Sequence, residues 1–116
     1  MSEILVADDE NKIRNVLVNL FEEHKVTIAS SWDELLAILK TGKKFNLIIT
    51  DIVMPGYKEI ASQGIVDVLK AYNTPVIFIS GYDEKALTSL PPNMKFIKKP
   101  FSVKLMKVYG EKMLNA

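Results

Sequence analysis

Apolar positions along this chain fall into two kinds of pattern that alternate. Ile4-Leu5-Val6-Ala7 is a short unbroken apolar run that stops at two acids. Asn46 to Thr50 is a second, stopping at Asp51, and Pro75 to Ser80 is a third. Val26 to Ala29 and Met94 to Ile97 are weaker runs. Continuous rather than alternating apolar character predicts strands covered on both faces, as in a parallel sheet. Helical spacing fills the gaps. Ile13, Val16, Leu17, Leu20 and Phe21 follow the i, i+3, i+4, i+7, i+8 rule of an amphipathic helix. Ser31-Trp32-Asp33-Glu34 has the form of a capping box and leads into Leu35, Leu36 and Leu39, with Gly42 as the stop. A third helix is expected between Glu59 and Tyr72. A short fourth is expected over Asp83 to Ser89, before Pro91-Pro92. The last starts near Ser102 and carries Leu105, Tyr109 and Met113 on one face.

Strand and helix thus alternate five times. That order predicts a doubly wound α/β domain, a (βα)5 sandwich in which right-handed crossovers place helices on both faces of a parallel five-stranded sheet. The expected strand order is 2-1-3-4-5, with the switch point between strands 1 and 3, where ligands bind outside the carboxyl ends of the strands. The polar residues at those ends are Asp8-Asp9, Asp51, Ser80 and Lys98-Lys99-Pro100. Three carboxylates, a hydroxyl and an ammonium are therefore expected in one crevice.

Composition narrows the picture. The 116 residues fit one domain, 1–116, able to bury a real core. Apolar residues at 48% and charged residues at 25% are ordinary for a globular protein. A net charge of +1 gives no bulk electrostatic case for direct nucleic-acid binding. The chain has no cysteine, which excludes disulfides, thiolate metal sites and a cysteine nucleophile. MSEILVADDE has no basic n-region, so it is not a signal peptide, and no apolar run approaches the roughly 20 residues that span a membrane. The expectation is a soluble, cytoplasmic protein without a membrane partner. The Met1 start favours an intact N-terminus, although the chain would equally suit a piece of a longer regulator.

Carboxylates crowded together raise each other's pKa, and a hard divalent cation relieves this. Mg²⁺ suits one or two carboxylates, several waters and a phosphate oxygen. One carboxylate is then left to act as a nucleophile on phosphorus. Phosphoryl transfer mainly needs positioning and neutralisation of the phosphoryl oxygens. A cation, a lysine ammonium and a serine hydroxyl or backbone N–H are what these strand ends supply.

Four motifs, Asp8-Asp9-Glu10, Asp51-Ile52-Val53-Met54-Pro55-Gly56, Ser80-Gly81 and Lys99-Pro100-Phe101, occur in order, each after its strand. With them the chain resembles, over essentially its whole length, the receiver domain of two-component response regulators, which has a flavodoxin-like fold. The resemblance implies that Asp51 accepts a phosphoryl group from a sensor histidine kinase or phosphotransfer protein. It implies that Asp8, Asp9, Asp51 and the backbone carbonyl of Val53 hold Mg²⁺ or Mn²⁺, with Asp9 the more direct ligand of the pair. It assigns Lys99 to the phosphate, Ser80 to a switch hydroxyl, Gly81 to an N–H contact, and Phe96 to the aromatic that swings inward when Ser80 moves. Such a domain catalyses only its own phosphorylation and dephosphorylation. The output partner is expected on the face built by the fourth and fifth strands and the helices that follow them (strand 4–helix 4–strand 5–helix 5). A cis bond before Pro100 is common in the family.

The chain departs from the family in three places. Most receivers continue after Met-Pro with a short stretch ending in Asp-Gly; here the glycine is displaced to Gly64. Either the loop is longer and the third helix shorter, or Gly64 lies inside a helix at about 1 kcal/mol relative to Ala. The i, i+4 spacing of Ile60, Gly64, Val68 and Tyr72 favours the second. Phe96 replaces the commoner tyrosine, so its switch is expected to be driven by packing alone. Val53 and Tyr82 flank the site and are expected to slow self-dephosphorylation by shielding the phosphoryl group.

Plainer readings stand beside these. Asp8-Asp9 would also serve as a helix cap, Asp51 as a turn acid, Ser80-Gly81 as a turn, and Lys99 as surface charge. His24 reads as a surface residue near a helix C-terminus, and Trp32 as partly exposed packing. Lys95, Lys98, Lys104 and Lys107 form either a solvated face or a docking surface for an acidic partner. Competing functions are a degenerate receiver acting as an interaction scaffold, a metal-dependent phosphohydrolase and a cofactor binder. The hydrolase usually needs an acid where Val53 stands. The cofactor binder would place a phosphate against Asp8-Asp9-Glu10.

Overall fold

The three strongest apolar runs become the centre of the sheet. β1 (Glu3–Ala7), β3 (Leu47–Asp51) and β4 (Val76–Ser80) lie side by side, flanked by β2 (Lys25–Ala29) and β5 (Met94–Lys98). All pairs are parallel and the order is β2-β1-β3-β4-β5. Every residue of β3 and β4 is buried, which is why those runs do not alternate. The edge strands are only partly covered, and Ile28 on β2 is exposed. The computed structural model describes residues 1–58, 64–81 and 90–115.

Four described helices cover the two faces. α1 (Asn11–Leu20) and α4 (Val103–Leu114) lie on one, where Leu17, Phe21 and Met106 pack with Ile4, Val6, Ile49 and Ile77. α2 (Trp32–Lys40) and α3 (Ile65–Lys70) lie on the other, where Trp32, Leu35, Leu39 and Leu69 pack with Leu5, Ala7, Ile48 and Phe78. Alternate residues of each central strand feed the two cores, as the period of a strand requires.

Several details differ from the sequence reading. Gly64 precedes α3 instead of lying within a helix: its φ of +82° is left-handed, a conformation glycine adopts without strain, and the helix runs only from Ile65 to Lys70. The fourth helix, expected over 83–89, lies outside the described residues. The buried face of α4 centres on Met106 and Gly110, while Leu105 is exposed. Val16 is likewise exposed on α1. Trp32 is buried, at 1% exposure. His24 is no free surface residue: its Nδ1 accepts from the Ser2 N–H at 3.0 Å and its Nε2 lies 3.1 Å from Glu111 Oε1.

Candidate functional site

The register of the sheet assembles the site. Ala7 pairs with Thr50 across β1 and β3, so Asp8 and Asp51 emerge side by side where the strand order reverses. Ser80 pairs with Lys98 across β4 and β5, which brings Lys99 to the same edge. Carboxylate oxygens of Asp8, Asp9 and Asp51 lie within 4.8 Å of one another. Asp8 is fully buried, Asp51 is 5% exposed, and Asp9 faces solvent.

Each buried carboxylate is held from its backbone side. Asp8 Oδ1 accepts from the Glu10 N–H at 2.9 Å, and Asp51 Oδ1 accepts from the Ile52 N–H at 2.8 Å. Their other oxygens turn to Lys99, whose Nζ is 2.9 Å from Asp8 Oδ2 and 3.2 Å from Asp51 Oδ2. The contact to Asp8 is an ion pair out of line for a hydrogen bond, so Asp8 Oδ2 is a buried oxygen with no aligned donor. Capping of α1 by the acid pair is not observed. The N-cap is Glu10, which makes no side-chain cap bond, and its carboxylate instead lies 3.2 Å from Lys99 Nζ. The motif contained Glu10, but its contact spans 89 residues and had no signature in the sequence.

Burial is the first cause that raises the Asp51 pKa, to about 6, and the charge of Asp8 adds to it; Lys99 and the Ile52 N–H oppose both. Asp8 is raised too, by burial, against Lys99 and the Glu10 N–H. Burial works to lower the Lys99 pKa, but its ion pairs with Asp8 and Asp51 and its hydrogen bond to Asp51 outweigh this and raise it. Lys99 is thus a fixed cation among carboxylates, not loose surface charge.

The remaining expected residues fall nearby or outside. Ser80 ends β4 and is buried, its carbonyl accepting from the Lys99 N–H at 2.7 Å. Gly81 is exposed, with open space where a Cβ would project. Val53 is 39% exposed beside Asp51. Phe96 is half-buried on β5, opposite Phe78. Tyr82 lies outside the described residues. The Lys99–Pro100 bond is cis. A groove of about 430 Å³ opens beside Lys99, lined by Ile13, Val16, Pro100, Phe101 and Val103. The lysines expected as one patch have separate neighbours: Lys107 bonds Glu23 and the Leu20 carbonyl, and Lys95 sits 4.2 Å from the Tyr109 ring centroid.

The acid trio fits a divalent cation. It offers three oxygen donors in reach of one another, and one of them is a buried oxygen without an aligned donor. Sheet order and site together define a doubly wound α/β domain whose chemistry lies at the β1–β3 switch point. Residues 4–109 match the family model of the response regulator receiver domain. The chain is 30% identical to the response regulator receiver protein CpdR of Brucella abortus, over all of this chain and 99% of that protein. It is 34% identical to the phyllosphere-induced regulator PhyR of Methylorubrum extorquens over 86% of this chain, but spans only 39% of PhyR. Among solved structures, the receiver domain of the Francisella response regulator 1452 aligns with a TM-score of 0.81 and 28% identity, covering 99% of this chain and 98% of that one. The chain therefore belongs to the receiver domains of two-component response regulators, phosphorylation-switched signalling modules that work with histidine kinases or phosphotransfer proteins. Receivers generally bind Mg²⁺ at an acidic pocket, and this chain has such a cluster. Among the described residues no helix is long and apolar enough to cross a membrane.

Proposed function

We propose that this is a cytoplasmic protein in which Asp51 is the phospho-acceptor, taking a phosphoryl group from phosphohistidine on a sensor kinase or phosphotransfer protein. The observation that carries this is the convergence of Asp8, Asp9 and Asp51 at the switch point, with Lys99 bridging Asp8 and Asp51. An Asp51 carboxylate oxygen attacks phosphorus in line with the leaving nitrogen. The O–P bond forms as the P–N bond breaks, and the electron pair returns to the imidazole. With a pKa of about 6, Asp51 is mostly ionised at neutral pH and more basic than an ordinary carboxylate.

Asp8, Asp9, Asp51 and the Val53 carbonyl would hold Mg²⁺ or Mn²⁺, which supplies positive charge for a phosphoryl oxygen. Lys99 neutralises a second oxygen. The Ser80 hydroxyl and the Gly81 N–H serve the third, and Phe96 follows Ser80 inward; its half-buried place against the core is a suitable starting point. Val53 and Tyr82 shield the phosphoryl group from water. The chain catalyses only its own phosphorylation and dephosphorylation, and its state is read by a protein on the β4–β5 side. The apolar groove beside Lys99, with exposed Val16 and Val103, suits the phosphodonor protein, because Lys99 both lines it and lies 3.2 Å from Asp51.

Labelling tests the assignment. The wild type with a small acyl-phosphate donor and Mg²⁺ should gain one acyl phosphate per chain, and Asp51→Asn none. Label retained by Asp51→Asn overturns it. Val16→Asp should slow transfer from the cognate kinase while leaving labelling by the small donor unchanged.

A further inference from the structure

We propose that Trp32 is a positioning residue for the phosphorylation site, holding in place the loop whose Val53 carbonyl would complete the metal site; this rests on the site reading above. Two bonds leave this one residue. Its indole Nε1–H donates to the Ile52 carbonyl at 2.8 Å, in a buried setting, and its backbone N–H donates to the Pro55 carbonyl at 2.9 Å. The first fixes the peptide plane between residues 52 and 53, the second the plane between 55 and 56. The Val53 carbonyl lies in the plane between 53 and 54, held from both sides. On its other side, the Ile52 N–H is shared between Asp51 Oδ1 at 2.8 Å and the Ile79 carbonyl at 3.2 Å. Trp32 thus reaches Asp51 through a single residue.

Packing enforces the same placement. A Cβ on Gly56 would stand 3.1 Å from Trp32 Cβ and 3.6 Å from the Asp33 nitrogen, so the loop lies directly against the first turn of α2. That turn is itself secured. Ser31 Oγ accepts from the Glu34 N–H at 3.1 Å, and Glu34 Oε1 accepts from both the Ser30 N–H and the Ser30 hydroxyl at 2.6 Å. A buried indole N–H needs an acceptor, and here the acceptor is a carbonyl one residue from the phospho-acceptor. The other buried aromatics described on this face, Phe45 and Phe78, have no polar group to do this.

Mg²⁺ titration by calorimetry, with NMR of the backbone amides, tests the inference on wild type, Trp32→Phe and Leu39→Ala. Trp32→Phe keeps an aromatic ring in the core, removes the N–H donor and shrinks a fully buried side chain; Leu39→Ala controls for the lost packing. Trp32→Phe should weaken Mg²⁺ about tenfold, the scale seen when a partner that orients a metal ligand is lost, and move the Val53 and Met54 amide signals before any metal is added. Leu39→Ala, in the same core at the far end of α2, should lower Tm without changing Mg²⁺ affinity. Equal affinity in Trp32→Phe and wild type overturns the inference and leaves the site reading standing. Failure of the wild type to bind Mg²⁺ overturns the site reading, and the inference with it. The chain has one tryptophan, so the unmutated protein offers a second test should Trp32→Phe not fold. Its single indole N–H signal should shift with the same Mg²⁺ midpoint as the Val53 amide. A signal that stays put overturns the inference.

Discussion

Asp51 is ionised at a position where the metal-free fold resists charge. Its folded pKa is about 6 against 3.8 for the free side chain, so between those values the folded chain binds more protons than the unfolded one. Its contribution to stability is therefore fullest below about pH 4 and is lost as pH rises through 6, a difference on the order of 3 kcal/mol. Asparagine keeps the shape without the charge, and Lys99 still has Asp8 and Glu10 as partners. Metal-free Asp51→Asn should thus be more stable than wild type by about 1–3 kcal/mol near pH 8, with the gain fading below about pH 5. Urea unfolding at the two pH values measures it; a less stable variant near pH 8 would mean that the Lys99 pairing outweighs burial. Asp8, Asp51 and Lys99 were legible in the sequence because each ends an apolar run, where a buried strand has no structural use for charge. Glu10 and Trp32 were not. The first acts through an ion pair formed 89 residues away, and the second through a hydrogen bond to the backbone, which carries no sequence signal.

The elements were legible in proportion to how completely they are buried. β1, β3 and β4 are sheathed on both faces, and their unbroken apolar runs could mean little else. α4 was harder because it has apolar residues around much of its circumference, with Val103, Leu105 and Val108 exposed. Spacing alone chose the row of Leu105, whereas the closest approach is made by a residue with no side chain. A Cβ on Gly110 would stand 2.5 Å from Phe21 Cζ and 2.7 Å from its Cε1, and Phe21 is fully buried. Ala in place of Gly gains about 1 kcal/mol of helix propensity, but overpacking a tight core costs about 1–3 kcal/mol. Gly110→Ala should therefore lower Tm by several degrees, contrary to the propensity scale. The double variant with Phe21→Leu should recover part of the loss, a coupling that thermal unfolding of all four proteins would reveal. The misplacement of Gly64 has the same root. Its spacing with Val68 fits a helix, and only the backbone angle of +82° shows that the helix starts after it.

Across the whole molecule, charge is arranged differently at the two ends of the sheet. At the amino end, around the start of β2 and the end of α4, the charges neutralise one another. Lys107 bonds Glu23 and the Leu20 carbonyl and pairs with Glu111 at 3.1 Å, and through Lys107 the Glu23 pKa falls to about 2. Glu23, His24 and Glu111 are close enough to suggest a second metal position. Yet the Ser2 N–H occupies the lone pair of His24 Nδ1, so the neutral ring carries its proton on Nε2, the atom a metal would need. The ammonium of Lys107 already serves the carboxylates. At the carboxyl end, Asp8 and Asp51 are both raised by burial, and Lys99 alone does not offset it. A divalent cation should consequently stabilise this fold through one end only. Near pH 8, Mg²⁺ at a hundredfold over its Kd should raise stability by about 2.7 kcal/mol. That gain should shrink as pH falls through about 6, because a proton on Asp51 competes with the metal. Asp9→Asn should lose most of it, and Glu111→Gln should keep it. Thermal unfolding with Mg²⁺, against an ionic-strength control, separates these outcomes, and a gain that followed Glu111 instead of Asp9 would put the cation at the wrong end of the sheet for phosphoryl transfer.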